Sequence, residues 1–412
     1  MTRAAAARSL LLVALALAAC GGGSTKGASD AGGGRDATSD AAGDGGASDA
    51  SHDSSLEAGV DASLEAGGDS GADSGVDTGL DSGTDSGAGT ETGVDACACT
   101  AASPSTASCV ANGCLVLLAE GPSANDFLGL AVDTSDVYWT ERNATGVLDA
   151  VPLGGGSPST IAPSLSFPTN VAVHGANAFL AAGPAGGTAG VVLQLPLAGG
   201  AATTLASGLV TADGVAVDAA NVYFTDYTAG SVMKVAIGGA SAPTTLASGQ
   251  SFPHAVATDG TNVYWVDVGS GTAADGSVMQ IAVGGAASPT PLATGQTHPN
   301  AIATDGTSVY WVDEGSTTSN GAVMKVAVGG TTPAPLAAGQ DNPVAVATDG
   351  TNVYWTTFEA GVSGHLYEVP VGGGTPVTLA SSASHGYGQV AVDGASVYWI
   401  DDIGAVRRLT PK

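Results

Sequence analysis

Basic residues are scarce in this chain. Its 412 residues include 10 Lys and Arg against 38 Asp and Glu, a formal net charge of −28. A phosphate backbone needs a basic footprint, so nucleic acid is excluded as a partner. Charged residues of both signs make up only 12% of the chain, while Gly occurs 63 times. Gly weakens helix interiors, which disfavours a helical class. Beyond the first 20 residues no apolar run is long enough to cross a bilayer of about 30 Å. Gly-x-Ser-x-Gly elbows, HExxH sequences, phosphate loops and paired-Cys redox motifs are all missing. Gly154–Gly156 and Gly372–Gly374 precede no helical pattern and read as turns, not phosphate cradles. The length allows one large domain or two or three small ones.

Residues 1–20 have the form of an export signal. Arg3 and Arg8 supply a positive start, and Leu10 to Ala18 a short apolar stretch. The segment ends Leu17-Ala18-Ala19-Cys20, which resembles the lipobox of bacterial lipoproteins. The resemblance implies a lipid on Cys20, which becomes the mature N-terminus, and a protein anchored to a membrane by lipid. Gly21 follows in place of Asp, which for a Gram-negative lipoprotein implies the outer membrane or the cell surface. The bland alternative is an ordinary secretory signal with an incidental Cys.

Residues 21–95 contain almost nothing apolar and hold 16 acids against two bases, Lys26 and Arg35. Such a segment cannot bury enough surface to offset its ordering entropy, so a disordered tether is expected, extended by its own charge. As a Gly-rich coil it reaches about 50 Å r.m.s.. Asp69, Asp73, Asp77, Asp81 and Asp85 recur every fourth residue. The nine-residue pattern of calcium β-rolls is absent, so the segment reads as a spacer and not as a calcium site. Residues 96–114 contain Cys97, Cys99, Cys109 and Cys114, an even number in an exported chain. Two disulfides are expected, in any of three pairings; a zinc site is the alternative, but no His lies nearby.

From residue 115 to 412 the chain is an internal repeat of 41–46 residues. Seven first strands begin at Leu130, Val171, Val215, Val256, Ile302, Val346 and Val390. All but the second end in an Asp: Asp133, Asp218, Asp259, Asp305, Asp349 and Asp393. His174 takes that place in the second unit. These Asp residues suit Asx turns. Second strands carry an aromatic at Tyr138, Phe179, Tyr223, Tyr264, Tyr310, Tyr354 and Tyr398. Third strands follow, and a fourth of the Thr-Thr-Leu-Ala-Ser-Gly type closes units one to six. The pattern predicts four short strands per unit and an all-β, seven-bladed β-propeller. Unit seven ends before a fourth strand, and residues 115–121 supply the missing pattern, with Leu118-Ala119 matching Leu205-Ala206. The ring is therefore expected to be closed by the N-terminal strand.

Tyr138-Trp-Thr-Glu141, Tyr223-Phe-Thr-Asp226, Tyr264-Trp-Val-Asp267, Tyr310-Trp-Val-Asp313 and Tyr398-Trp-Ile-Asp401 resemble the YWTD repeats of receptor-type propellers, and more loosely NHL repeats. The Thr is often Val or Ile, and YWTD propellers have six blades, so the resemblance implies fold and not receptor function. The whole layout is similar to the Asp/Gly-tethered propeller lipoproteins of myxobacteria.

Side chains that break the repeat are the functional candidates. Two residues before each first-strand motif stand Leu128, Thr169, Asp213, His254, Asn300, Val344 and Gly388. Inner strands line a propeller's channel, so Thr169, Asp213, His254 and Asn300 are expected to form a polar arc at one mouth. A carboxylate, an imidazole and an amide suit a small polar ligand, or a divalent metal as the one cofactor to consider; water filling the channel is the alternative. His298 and His385 lie near the same rim; His174 and His365 read as surface residues. Without a catalytic pair, the expectation is a monomeric, non-enzymatic interaction module for a protein or glycan partner, read by loops 268–275, 314–320 and 357–363. The alternative is a propeller enzyme, since seven-bladed propellers similar to this one include streptogramin-type lyases, and related ones metal-dependent lactonases.

Metabolic labelling with a palmitate analogue checks the lipid. Label is expected on the wild-type protein and not on Cys20→Ala; an unlabelled wild type, or label that survives the substitution, refutes the anchor.

Overall fold

A computed structural model describes residues 107–110, 113–120, 127–183, 189–270, 274–285, 287–317, 319–359 and 363–412. The signal with Cys20, the 21–95 tether, Cys97 and Cys99 lie outside the described residues; so does the separate unit Gly22–Val94. Among the described residues there are 29 strands and no helix.

The strands form seven antiparallel sheets. Six are four-stranded blades covering 127–165, 168–209, 212–248, 253–296, 299–340 and 343–382. The inner strands are Phe127–Val132, Pro168–His174, Ala212–Val217, Pro253–Thr258, Pro299–Thr304, Pro343–Thr348 and Tyr387–Val392. Each packs on the next, and the seventh packs on the first, so the ring is complete. Gly113–Glu120 pairs with the last strand, Ala405–Thr410, and supplies the seventh blade's fourth strand, with Leu115 opposite Leu409. Ala107–Val110 adds a fifth strand outside it. This fifth strand lies within the cysteine-bearing segment. Cys114 is disulfide-bonded, and the register sets the backbone of Cys109 across from it.

The core is seven wedges, one between each pair of neighbouring blades. Successive residues of a strand face opposite sides, so the adjacent Tyr and Trp of a second strand serve different wedges. Tyr264 of blade 4 shares a cluster with Trp311 of blade 5. The pattern continues with Tyr223 and Trp265, Tyr310 and Trp355, and Tyr354 and Trp399. Tyr398 of blade 7 meets Trp139 of blade 1 and closes the circle. Blade 2 contributes Leu180 against Tyr138 and Phe179 against Phe224. These side chains are almost fully buried.

Long third-strand side chains tie the blades together from outside. Lys234 Nζ donates to the Val283 carbonyl at 2.6 Å and Lys325 Nζ to that of Val371 at 2.7 Å. Arg408 reaches the Leu153 carbonyl across the closing seam. Lys412 Nζ pairs with Asp349 Oδ2 at 2.7 Å, joining the chain end to blade 6.

The turn Asp does more than cap its turn. Asp218 Oδ1 accepts the amides of Ala220 and Asn221 at 2.7 Å, as an Asx turn requires. Its Oδ2 accepts the hydroxyl of Tyr223, five residues on, at 2.7 Å. The same clamp occurs in six blades, at 2.7–3.1 Å. Burial opposes the charged form, but these hydrogen bonds outweigh it and hold Asp218, Asp259, Asp305 and Asp393 below the ordinary carboxylate range. Asp349, with Lys412 added, falls to about 2. Blade 2 has lost both partners together: His174 replaces the Asp and Phe179 the Tyr. A Tyr there would bury a hydroxyl with no acceptor, which costs about 1–3 kcal/mol.

That coupling is testable by a double-mutant cycle read by urea unfolding. Phe179→Tyr alone is expected to destabilise by about 1–3 kcal/mol. Adding His174→Asp should recover most of the loss, and strictly additive effects would refute the clamp.

Candidate functional site

Blades 2, 4, 5 and 6 enter their inner strands through a residue–Pro corner. Phe167, Phe252, His298 and Asn342 precede the prolines with φ of 46°, 60°, 54° and 48°, a left-handed conformation costly for residues other than Gly. Each corner carbonyl accepts the amide just beyond the second strand. Gly183, Val268, Glu314 and Phe358 are held this way at 3.1–3.2 Å. Tyr227 in blade 3 is held likewise by Thr211 at 2.9 Å, and Asp402 in blade 7 by Gly386 at 3.0 Å. The corner therefore fixes where second-strand ends stand at the mouth.

One or two residues after the corner, each inner strand skips register against its neighbour. The skipped positions contain Leu128, Thr169, Asp213, His254, Asn300, Val344 and Gly388. A bulge re-aims a side chain and ends pairing, so the repeat-breaking residues are also the backbone irregularities of their strands. The second-strand Thr props this arrangement. Thr225 Oγ1 accepts the Gly214 amide at 2.8 Å and donates to the His254 carbonyl at 2.7 Å, linking the bulges of blades 3 and 4. Thr356 donates to the Gly388 carbonyl at 2.5 Å in the same way.

Three of the four expected residues come together. His254 Nδ1 makes a short hydrogen bond with Asp213 Oδ2. The His254 side chain is 35% exposed and that of Asp213 17%. The Asn300 side chain interacts with His254 and donates through Nδ2 to Glu314 Oε1 at 2.8 Å and to the Val344 carbonyl at 3.1 Å. The result is a chain of carboxylate, imidazole, amide and carboxylate across blades 3, 4 and 5. Thr169 is turned away from it. It is 8% exposed, and its hydroxyl lies 3.1 Å from the Ala181 carbonyl and 3.0 Å from that of Asp213, so it supports the backbone beneath the cluster. Leu128, Val344 and Gly388 leave the bulges of blades 1, 6 and 7 without polar side chains.

Sequence reasoning missed Glu314 and Tyr227. Both follow the second-strand acid, where other blades carry Arg142, Val268, Phe358 or Asp402; the test for repeat-breaking residues, applied there too, points to them. Tyr227 stacks obliquely on Phe252 at 5.2 Å and stands edge-on to His254 at 6.1 Å.

Burial opposes a charged His254, but the Asp213 carboxylate outweighs it, helped by Glu314 and Asn300, and the imidazole pKa is raised. Burial pushes Glu314 up to about 7 against the pull of His298 and His254. Burial, with the Asp213 charge, pushes Tyr227 up to about 12. The cluster therefore sets a carboxyl group that exchanges protons near neutrality beside an imidazole held toward its charged form.

His298 lies 3.3 Å from the Gly315 carbonyl. His385 pairs separately with Asp402 at 3.3 Å. His365 packs on Tyr367 at 5.5 Å. Among the described residues no group of three or more His, Cys, Asp or Glu is placed to hold a metal ion. A depression of about 450 Å³ lies at the opposite end of the channel, lined by the clamp residues Asp218, Asp259 and Asp305. The loops expected to read a partner include residues outside the described set, 271–273, 318 and 360–362.

No protein-family model and no curated sequence matches the chain. Solved structures do match in fold. A streptogramin B lyase is 14% identical with a TM-score of 0.58, covering 72% of this chain and 97% of that one. Virginiamycin B lyase from Staphylococcus aureus is 12% identical over 72% of this chain and 98% of its own, with a TM-score of 0.58. A catalytically inactive histidine-to-alanine variant of it, solved with quinupristin, gives 0.57. A computationally designed protein, Ika8, is 15% identical at 0.50, covering 71% and 98%.

NMR titration of the His254 imidazole tests the site's electrostatics. Its midpoint is expected above the ordinary value of about 6.5 and should fall in Asp213→Asn. An unchanged midpoint in that variant refutes the pairing.

Proposed function

We propose that the protein is a lipid-anchored propeller of the bacterial envelope that acts as an interaction module, recognising a protein or glycan partner at the channel mouth formed by Asp213, His254, Asn300 and Glu314. The observation that carries this reading is the convergence of those four polar side chains, each at a place where its blade departs from the repeat. A rigid ring with convergent polar groups at one mouth is the usual form of a recognition site on a scaffold. The expected lipid on Cys20, the acidic 21–95 tether and disulfides among Cys97, Cys99, Cys109 and Cys114 complete the picture. The lipid holds the chain at the outer membrane or cell surface, the spacer lifts a monomeric propeller clear of it, and the staples secure the start of the ring.

A second reading is an enzyme of the lyase type. One feature favours it: His254 is oriented by Asp213 with Glu314 close to neutrality, a pairing suited to general acid–base work. The fold likeness to lyases agrees with it, one of them being inactive as a histidine-to-alanine variant.

Capture from an envelope extract separates the two. The wild-type protein should retain a discrete component that Asp213→Asn and Asn300→Ala do not, identified by mass spectrometry. Retention by all forms alike, or by none, refutes a mouth-directed module. A retained component that is chemically changed by wild type but not by His254→Ala moves the assignment to the enzyme.

A further inference from the structure

Resting on the binding reading above, we infer that the mouth takes a neutral saccharide, with one face of a sugar ring on Tyr227 and Phe252 and its hydroxyls among Asp213, His254, Asn300 and Glu314. Charge, hydrogen-bonding capacity and shape each narrow the ligand to this class.

The charges cancel within the cluster. Asp213 and His254 pair with one another. Among the described residues neither Asp213 nor Glu314 forms an ion pair with Lys or Arg. A ligand anion would meet two carboxyl groups, answered by His254, which is already paired with Asp213, and by His298, which already pulls on Glu314. A ligand cation at Asp213 would have to displace His254, and at Glu314 it would have to overcome the burial that favours that group's neutral form. A neutral ligand disturbs neither arrangement.

The hydrogen-bonding groups alternate in kind. Asp213 accepts through the oxygen that is not on His254, while Asn300, with its amide hydrogens on Glu314 and the Val344 carbonyl, holds His254 and Glu314 in place. Glu314, lifted to about 7, retains an acidic hydrogen in a large share of molecules and both donates and accepts. A hydroxyl is itself donor and acceptor, so several hydroxyls on one ring suit such a set better than a purely donating ammonium or a purely accepting carboxylate. Tyr227 adds a hydroxyl with no hydrogen-bond partner among the described residues.

The shape is one-sided. The Tyr227–Phe252 pair, with rings 5.2 Å apart, forms an aromatic wall beside the polar chain. The corresponding places elsewhere pair Arg142 with Phe167, Val268 with His298, Glu314 with Asn342 and Phe358 with Gly386, so none of these seams sets two aromatic rings together. A pyranose has the same division, with C–H groups on one face and hydroxyls around its edge.

The test follows the His254 imidazole by NMR in the full-length mature chain. The probes are methyl glucoside, methyl galactoside and methyl N-acetylglucosaminide, with benzylammonium and phenylacetate as charged comparisons. At least one glycoside is expected to shift His254 saturably, and neither charged probe to bind more tightly than it. Asn300→Ala and Tyr227→Ala should each weaken that binding by about tenfold, since each leaves buried polar or apolar surface unmatched. Unchanged His174 and His365 signals confirm that the variants are folded. A charged probe that binds more tightly than every glycoside overturns the saccharide assignment while leaving a binding mouth. No shift with any probe overturns it as well, and so does glycoside binding indifferent to both substitutions. The module reading fails on a different result, the loss of mouth-dependent capture from the envelope.

Discussion

The pairing of Gly113–Glu120 with Ala405–Thr410 is the constraint on which the rest of the molecule depends. Each wedge of the core is shared by two blades, so no blade can bury its Tyr and Trp unless both neighbours are in place. An open array would leave one Tyr face and one Trp face in water at its two ends. Closure removes both at once by bringing Tyr398 and Trp139 into a single cluster. It also covers the edge of Ala405–Thr410, which would otherwise invite pairing with other chains. The Asp–Tyr clamps act at a shorter range: in every blade but the second they fix the turn at one end of the inner strand to the second strand beside it. The ties from Lys234, Lys325 and Arg408 fasten three of the seven seams from outside: blade 3 to 4, 5 to 6 and 7 to 1.

With the ring rigid, the mouth becomes a place where small irregularities acquire meaning. The left-handed corner, the skipped register and the Thr225 bridge all lie within a few residues of His254. A bulge in a free hairpin would be mobile, whereas here the carbonyl of His254 is held from the neighbouring blade. That restraint allows groups from three blades to meet with hydrogen-bonding geometry, which a binding or catalytic site requires of its scaffold. The other end of the channel is lined by Asp218, Asp259 and Asp305, but these carboxylates are already engaged by amides and tyrosines, and that end is built for turn stability.

The seven-fold count, the closing strand and the turn Asp residues were legible in the sequence because each is repeated or completes a repeat. Asp213, His254 and Asn300 were legible for the opposite reason, as exceptions at one fixed place in the repeat. Thr169 stood at the same place, yet its hydroxyl turns to the backbone. The direction of a side chain on a bulge depends on neighbouring carbonyls, and these do not appear in the pattern. Glu314 belongs to a second position of the repeat, after the second strand, which comes close to the first only because the corner carbonyl of His298 binds its amide. The double loss in blade 2 was visible as two separate departures; their link is the hydroxyl–carboxylate bond seen in the other six blades.

The seventh blade, made from both ends of the folded region, has a kinetic consequence. Cys114 faces Thr410, so the last contact to form spans nearly the whole described chain. Contacts of such long sequence separation form slowly, because loop entropy must be overcome before any reward is gained. During synthesis the first six blades can take shape while the seventh lacks its three C-terminal strands. The molecule therefore passes through an unfinished ring whose terminal wedges are still exposed, and it is complete only when Ala405–Thr410 arrives.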